Sequence, residues 1–147
     1  MQQEISDASD GSRPEEASQP QGRAPITSLL VSDASAITAG MKDFLKSQGH
    51  TVLAAVSAKD ALEMTRRFQP TFILLKRDVD EGKACGLMSE LLIEHSKAAV
   101  IMMSANPPIW EVVEAVKLGA VDYLLWPPDL KRLKNALDVH GELFKGR

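Results

Sequence analysis

The chain has 147 residues, 44% of them hydrophobic and 25% charged, with a net charge of -3, an ordinary balance for a globular domain large enough to bury a core. So small a charge gives no field for nucleic acid or an anionic membrane, no run of about 18 apolar residues offers a membrane span, and the single cysteine, Cys85, rules out an internal disulfide. The N-terminus has no apolar signal-peptide core, so a cytoplasmic location is expected.

The first 25 residues are rich in Ser, Gln, Glu, Gly and Pro, and Ile5 is their one aliphatic β-branched residue. They hold five acids and two arginines, so the rest of the chain balances to about zero. Such a stretch buries too little apolar surface to offset its ordering entropy. It reads as a disordered leader or linker, with one folded domain over 26–147.

From Ile26 the patterns alternate. ITSLLVS reads as a strand, and Ile37, Met41, Phe44 and Leu45 then recur at helical spacing up to Gly49. TVLAAV is a second strand. Ser57 and Asp60 form a capping-box signal for a helix bearing Ala61, Leu62, Thr65 and Phe68, which ends before Pro70. TFILLK is the third strand; its continuous run Phe72–Leu75 suggests a strand covered on both faces. A polar loop leads to a helix with Leu87, Leu91 and Leu92, and AAVIMMS is the fourth strand. Asn106, Pro107 and Pro108 open a fourth helix whose expected buried face is Ile109, Val112, Val113 and Val116, with Gly119 at its end. VDYLLW is the fifth strand, and Leu130, Leu133, Leu137 and Phe144 mark the fifth helix. Strict alternation predicts an α/β domain: a doubly wound parallel sheet with right-handed crossovers and helices on both faces.

The stretches LLVSDAS, FILLKRD, IMMSAN and GAVDYLLWPP, in this order and spacing, resemble the receiver domain of bacterial response regulators, from Ile26 to about Leu143. The resemblance implies a flavodoxin-like (βα)5 fold with strand order 2-1-3-4-5 and a role in two-component signalling. In that family the first strand ends in an acidic pair that holds Mg²⁺, and the third ends in the aspartate that accepts phosphate. The fourth ends in Thr or Ser, and the fifth carries an aromatic switch residue followed by Lys-Pro. The matching positions here are Ser32 and Asp33, then Lys76, Ser104, Tyr123, and Trp126 with Pro127. One acid, the acceptor aspartate and the lysine are replaced, and Val79–Asp80 stands where the family has Met-Pro. The resemblance also implies a cis Trp126–Pro127 bond.

Phosphoryl transfer here needs a carboxylate nucleophile, a divalent cation and a positive group for the developing charge. A lysine ammonium has no lone pair and repels Mg²⁺, so the pocket reads as a degenerate phosphorylation site with no metal. Lys76 either pairs with Asp33, occupying the metal position, or stands in solvent. Ser104 is a strand-end hydroxyl with nothing left to coordinate, and Trp126 caps the vacated pocket. Tyr123 either rotates or is a fixed edge aromatic. Asp78 and Asp80, beside Arg77 and Glu81, read as a solvated loop. His50, His95 and His140 share no ligand spacing.

The expected function is that of a pseudo-receiver, a non-catalytic signalling module with no cofactor. Its partner is another protein, or a second copy in a homodimer. The surface implied by the resemblance is the fourth helix, fifth strand and fifth helix, on or near which lie Trp110, Lys117, Asp122 and Tyr123. Ala136 stands near where family dimers usually carry an arginine. Two alternatives stay open: a small-molecule or flavin-type binder, for which SDASAIT supplies Ser32, Ser35 and Thr38 but no glycine, with Asp33 repelling phosphate; and a true phospho-acceptor.

Overall fold

Five strands alternate with five helices among the residues described by the computed structural model, which are 26–79 and 83–145, with side chains through residue 141. The leader expected over 1–25, Asp80 and Glu81, and the side chain of Phe144 lie outside them. The elements are β1 (Ile26–Val31), α1 (Ala36–Ser47), β2 (His50–Ala55), α2 (Ala58–Phe68), β3 (Phe72–Lys76), α3 (Ala84–Glu94), β4 (Ala99–Ser104), α4 (Ile109–Leu118), β5 (Asp122–Leu125) and α5 (Leu130–Lys145). All pairings are parallel and the strand order is β2-β1-β3-β4-β5, the flavodoxin-like arrangement expected.

The core follows the two-residue period of strands. Leu29, Val31, Ile73, Leu75, Val100 and Met102 point to one face, where Ala61 of α2, Leu87, Met88 and Leu91 of α3, and Ala115 of α4 cover them. Leu30, Phe72, Leu74, Ile101 and Met103 point to the other, against Met41 and Leu45 of α1 and Leu133, Ala136 and Leu137 of α5. Burial on both faces explains why β3 and β4 are continuous apolar runs.

Helix ends follow local chemistry. Ser35 caps α1, accepting from the Thr38 backbone N–H, and Ser57 caps α2, accepting from that of Asp60. Gly119 closes α4 at φ 124°, where a Cβ would also stand 2.8 Å from Leu92 Cδ1; a glycine fits both constraints.

The fourth helix departs from the expected face. Ile109, Val113 and Val116 are 81%, 47% and 55% exposed, whereas Glu111 and Ala115 are the buried residues of α4. Periodicity reports that apolar side chains share one side of a helix; it does not say which surface covers that side. Ile37 and Phe68, expected on buried stripes, are also exposed. No helix among the described residues is long and apolar enough to cross a membrane.

Candidate functional site

Parallel strands bring all their carboxyl ends to one edge. Ser32 and Asp33 follow β1, Lys76 ends β3, Ser104 ends β4, and Trp126 and Pro127 follow β5. The register pairs Val31 with Leu75, Lys76 with Met103 and Ser104 with Leu125, so the four ends are nearly level. A backbone bond from Trp126 N to Ser104 O, 2.9 Å, ties the fifth end to the fourth, and the Trp126–Pro127 bond is cis.

Lys76 is at the centre of this edge. Its Nζ donates to Asp33 Oδ2 at 3.1 Å and lies 3.7 Å from Asp78 Oδ2. The same nitrogen sits 4.5 Å from the centroid of the Trp126 ring, a cation–π distance. The lysine side chain is only 12% exposed, while those of Asp33 and Asp78 are 54% and 70% exposed. Lys76 therefore does not stand in solvent: the ammonium is roofed by the indole and held between two carboxylates at the rim. Asp78, read from the sequence as a solvated loop residue, joins the site through this contact.

Asp33 is anchored on its other side as well. Thr38 Oγ1 donates to Asp33 Oδ1 at 3.1 Å, and lies 3.0 Å from Ser32 Oγ and 3.2 Å from Ser35 Oγ. A hydrogen bond from Ser35, and after it the one from Lys76, hold the Asp33 carboxyl below its ordinary range. The hydroxyls weighed in the sequence as a phosphate loop are thus engaged with α1's first turn and with Asp33.

A second cluster, missed in the sequence, lies beside the first. Glu111 is 5% exposed, and its carboxylate accepts from Arg77 Nε at 2.6 Å and from the Tyr123 hydroxyl at 2.8 Å. Burial, and then the bond to Glu111, push the Tyr123 hydroxyl well above its ordinary value, so it remains a neutral donor. Arg77 follows Lys76 directly, so this clasp joins the end of β3 to α4 and β5. The partners are 34 and 12 residues from Glu111, which is why no local pattern announces it.

The four residues assigned to an interaction face divide into two pairs. Trp110, 63% exposed, and Lys117 point outward from α4. Tyr123 is turned to Glu111. Asp122 accepts from the Tyr123 backbone N–H at 2.8 Å and lies 3.3 Å from His140 Nε2.

Mg²⁺ takes hard oxygen ligands, often carboxylates, in near-octahedral geometry. At this edge Asp33 Oδ2 is already bonded to an ammonium, and Asp78 reaches the same ammonium, so the donor set does not fit the cation. Among the described residues no three His, Cys, Asp or Glu side chains gather as a metal site.

The sequence matches the response regulator receiver domain family over residues 29–138. It is 30% identical over 115 residues to the transcriptional regulatory protein CitB of Klebsiella pneumoniae, covering 77% of this chain and 49% of CitB. It is 31% identical over 116 residues to the transcriptional regulatory protein DpiA of Escherichia coli K12, covering 78% of this chain and 51% of DpiA. The chain thus spans about half the length of these relatives. A two-component response regulator from Clostridium difficile superposes with a TM-score of 0.74 at 17% identity, over 80% of this chain and 96% of that one; at that identity the likeness concerns the fold.

Proposed function

The chain belongs to the response regulator receiver domain family, and we propose that within it this domain signals by protein contact without receiving a phosphoryl group. One observation carries the reading: Lys76 Nζ, 3.1 Å from Asp33 Oδ2, stands at the end of the third parallel strand. Attack on phosphorus needs an oxygen lone pair, and the ammonium offers none. The transfer also needs a cation bridging the phosphoryl oxygens; here Lys76 supplies fixed positive charge where Mg²⁺ would have to coordinate. The indole of Trp126 replaces a mobile cation with an apolar roof. The edge is therefore closed on itself by charge pairing, and its role is structural.

What remains for function is the surface of α4, β5 and α5. It carries Trp110 and Lys117 outward, and a cleft of about 320 Å³ lies between Tyr123, Leu125, Pro127, Asp129 and Arg132. A non-enzymatic module binding a protein partner here, in the cytoplasm, without metal or cofactor and with no nucleic-acid contact of its own, is the reading that fits these features.

The test is intact mass after incubation with acetyl phosphate and Mg²⁺. The expected result is an unmodified chain. A phosphoryl adduct mapped to an aspartate of this edge overturns the proposal and makes the domain an ordinary phospho-acceptor.

A further inference from the structure

We infer that the open edge of β2 is a strand-addition surface, and that its occupant is the β2 of a second copy of this chain, paired antiparallel about a two-fold axis at Leu53. This edge lies at the opposite end of the sheet from β5. It involves neither the strand-end pocket nor the surface of α4, β5 and α5, and it stands whether or not the chain takes up phosphate.

The backbone fixes which groups face outward. Ala55 O accepts from Ser32 N at 3.0 Å, so Ala55 turns its backbone groups toward β1. By the alternation of a strand Leu53 does the same, while Val52 and Ala54 turn N–H and C=O to the open side. Such a row of unpaired groups is a template for another strand, and native edges are blunted by charges, proline or a bulge. The edge HTVLAA has none of these: it holds no proline and no Asp, Glu, Lys or Arg, and its register with β1 is unbroken over six residues. The other edge, β5, is four residues long and starts with an aspartate.

The flank of the edge is self-complementary. Arg66 of α2 reaches Glu94 of α3 at 3.3 Å, which turns that side of α2 toward the middle of the sheet. At about 100° per residue, Asp60, Met64 and Arg67 lie on the opposite side, over the β2 edge, and with Phe68, 47% exposed, they line a shallow groove of about 140 Å³. Arg67 lies 5.4 Å from the Phe68 ring centroid, and among the described residues neither Arg67 nor Asp60 is ion-paired.

Ser28 of β1 is level with both Val52 and Phe72. Because α2 descends from just past Ala55 to just before Phe72, its midpoint near Met64 is level with Leu53. In an antiparallel pair about Leu53, Val52 faces Ala54 of the second copy, and each such pair exchanges both N–H···O bonds. The same axis runs α2 antiparallel to its mate and sets Asp60 opposite Arg67 of the second copy, twice by symmetry. The helix rests on β1 and β2, so with strands about 4.8 Å apart the two α2 axes come to roughly 10 Å, a helix packing distance, with Met64 near the axis. Glu63 points away from the sheet and meets no like charge in the seam.

Sedimentation equilibrium of the full chain from low micromolar to millimolar concentration tests the inference, and far-UV circular dichroism checks that each variant folds. The expected result is a monomer–dimer equilibrium. Ala54→Pro removes an N–H that donates only outward and should weaken it about tenfold or more. Arg67→Glu should weaken it too, and adding Asp60→Lys to Arg67→Glu should bring it back, an outcome that damaged folding cannot give. Val113→Arg on α4 should leave it unchanged. In amide exchange followed by NMR, the Val52 and Ala54 N–H should slow as concentration rises. Should Ala54→Pro fail to fold, the charge exchange decides alone. A chain monomeric throughout overturns the inference, as does a dimer indifferent to Ala54→Pro, one that the charge exchange fails to restore, or one that Val113→Arg dissolves.

Discussion

Replacing Glu111 by alanine removes the one carboxylate that fastens α4 to both Arg77 and Tyr123. The wild-type glutamate accepts two bonds, 2.6 and 2.8 Å long, and bonds with a charged partner contribute ~1.5–3 kcal/mol each. Its place in the first turn of α4 adds ~0.3–1 kcal/mol through the helix dipole. Against this stands the desolvation of a 5% exposed carboxylate, several kcal/mol by itself. After truncation Arg77, with 32% of its side chain exposed, rehydrates, whereas the half-buried Tyr123 hydroxyl has less access to water. The net loss should be about 2–4 kcal/mol. Glu111→Gln keeps the shape and loses the charge, and should cost about half as much; Tyr123→Phe removes one bond and should cost ~1–2 kcal/mol. The assay is urea unfolding by circular dichroism for the wild type, Glu111→Ala, Tyr123→Phe and the double variant. Residues in contact should show a coupling of about 1–2 kcal/mol. If Glu111→Ala lies within ~0.5 kcal/mol of wild type, as a surface change would, or the coupling is nil, the clasp does not hold α4 and the reasoning fails.

Restoring the family's groups should restore its chemistry: the triple variant Ser32→Asp, Lys76→Asp, Trp126→Lys should gain Mg²⁺ binding by calorimetry and slow labelling by acetyl phosphate, whereas Lys76→Asp alone should gain neither. Loss of the Trp126 roof should also make the triple variant less stable. Lys76→Met should let the Asp33 carboxyl rise toward its ordinary value in an NMR titration, yet change stability by no more than ~1 kcal/mol, because Asp33 is 54% exposed and its charge rehydrates. Burial lowers the pKa of His50, which bonds Ser28 Oγ at 2.6 Å and stacks on Phe72. The unfolded chain therefore takes up a proton before the folded one does. Stability should be full above the ordinary value of 6.5 and fall as pH drops below it, and His50→Gln should flatten that part of the profile in pH-dependent urea melts.

The strand ends were legible because β3 and β4 are buried on both faces, which makes their limits sharp in sequence: FILLK stops where the charges begin, and AVIMMS stops at its serine. The order of the strands came with the resemblance. The Lys76–Asp33 contact followed from topology, since β1 and β3 are neighbours and end level. Asp78 is solvated, as its charged loop implies, with a side chain 70% exposed; its 3.7 Å approach to Lys76 depends on how the turn after β3 folds back, which no periodicity reports. On α4 the expected buried face is mostly outward: Ile109, Val113 and Val116 are exposed, while Val112 is part-buried. Ile109, Val112, Val113 and Val116 satisfy every criterion for a core stripe, and a lone Glu111 looks like surface. Burial of that glutamate is acceptable only because Arg77 and Tyr123 supply its bonds, and neither partner is near it in sequence.

The clasp bears on how such a domain could present one state of its surface. A receiver that switches must let the aromatic of the fifth strand leave one position for another when charge appears at the strand edge. Here the hydroxyl of that aromatic is bonded to a buried carboxylate, and the carboxylate is bonded to the residue that follows Lys76. Moving Tyr123 outward would cost its bond to Glu111 and leave that carboxylate with one partner; moving Arg77 would do the same from the other side. At the edge itself the Lys76 charge is already balanced by Asp33 and Asp78, so no added anion is needed to settle it. Pocket and face are thus tied by short bonds that all favour a single arrangement. On the proposed reading, a surface held in that way would be offered constantly, and its occupancy would follow the concentration of whatever binds it rather than a phosphoryl group.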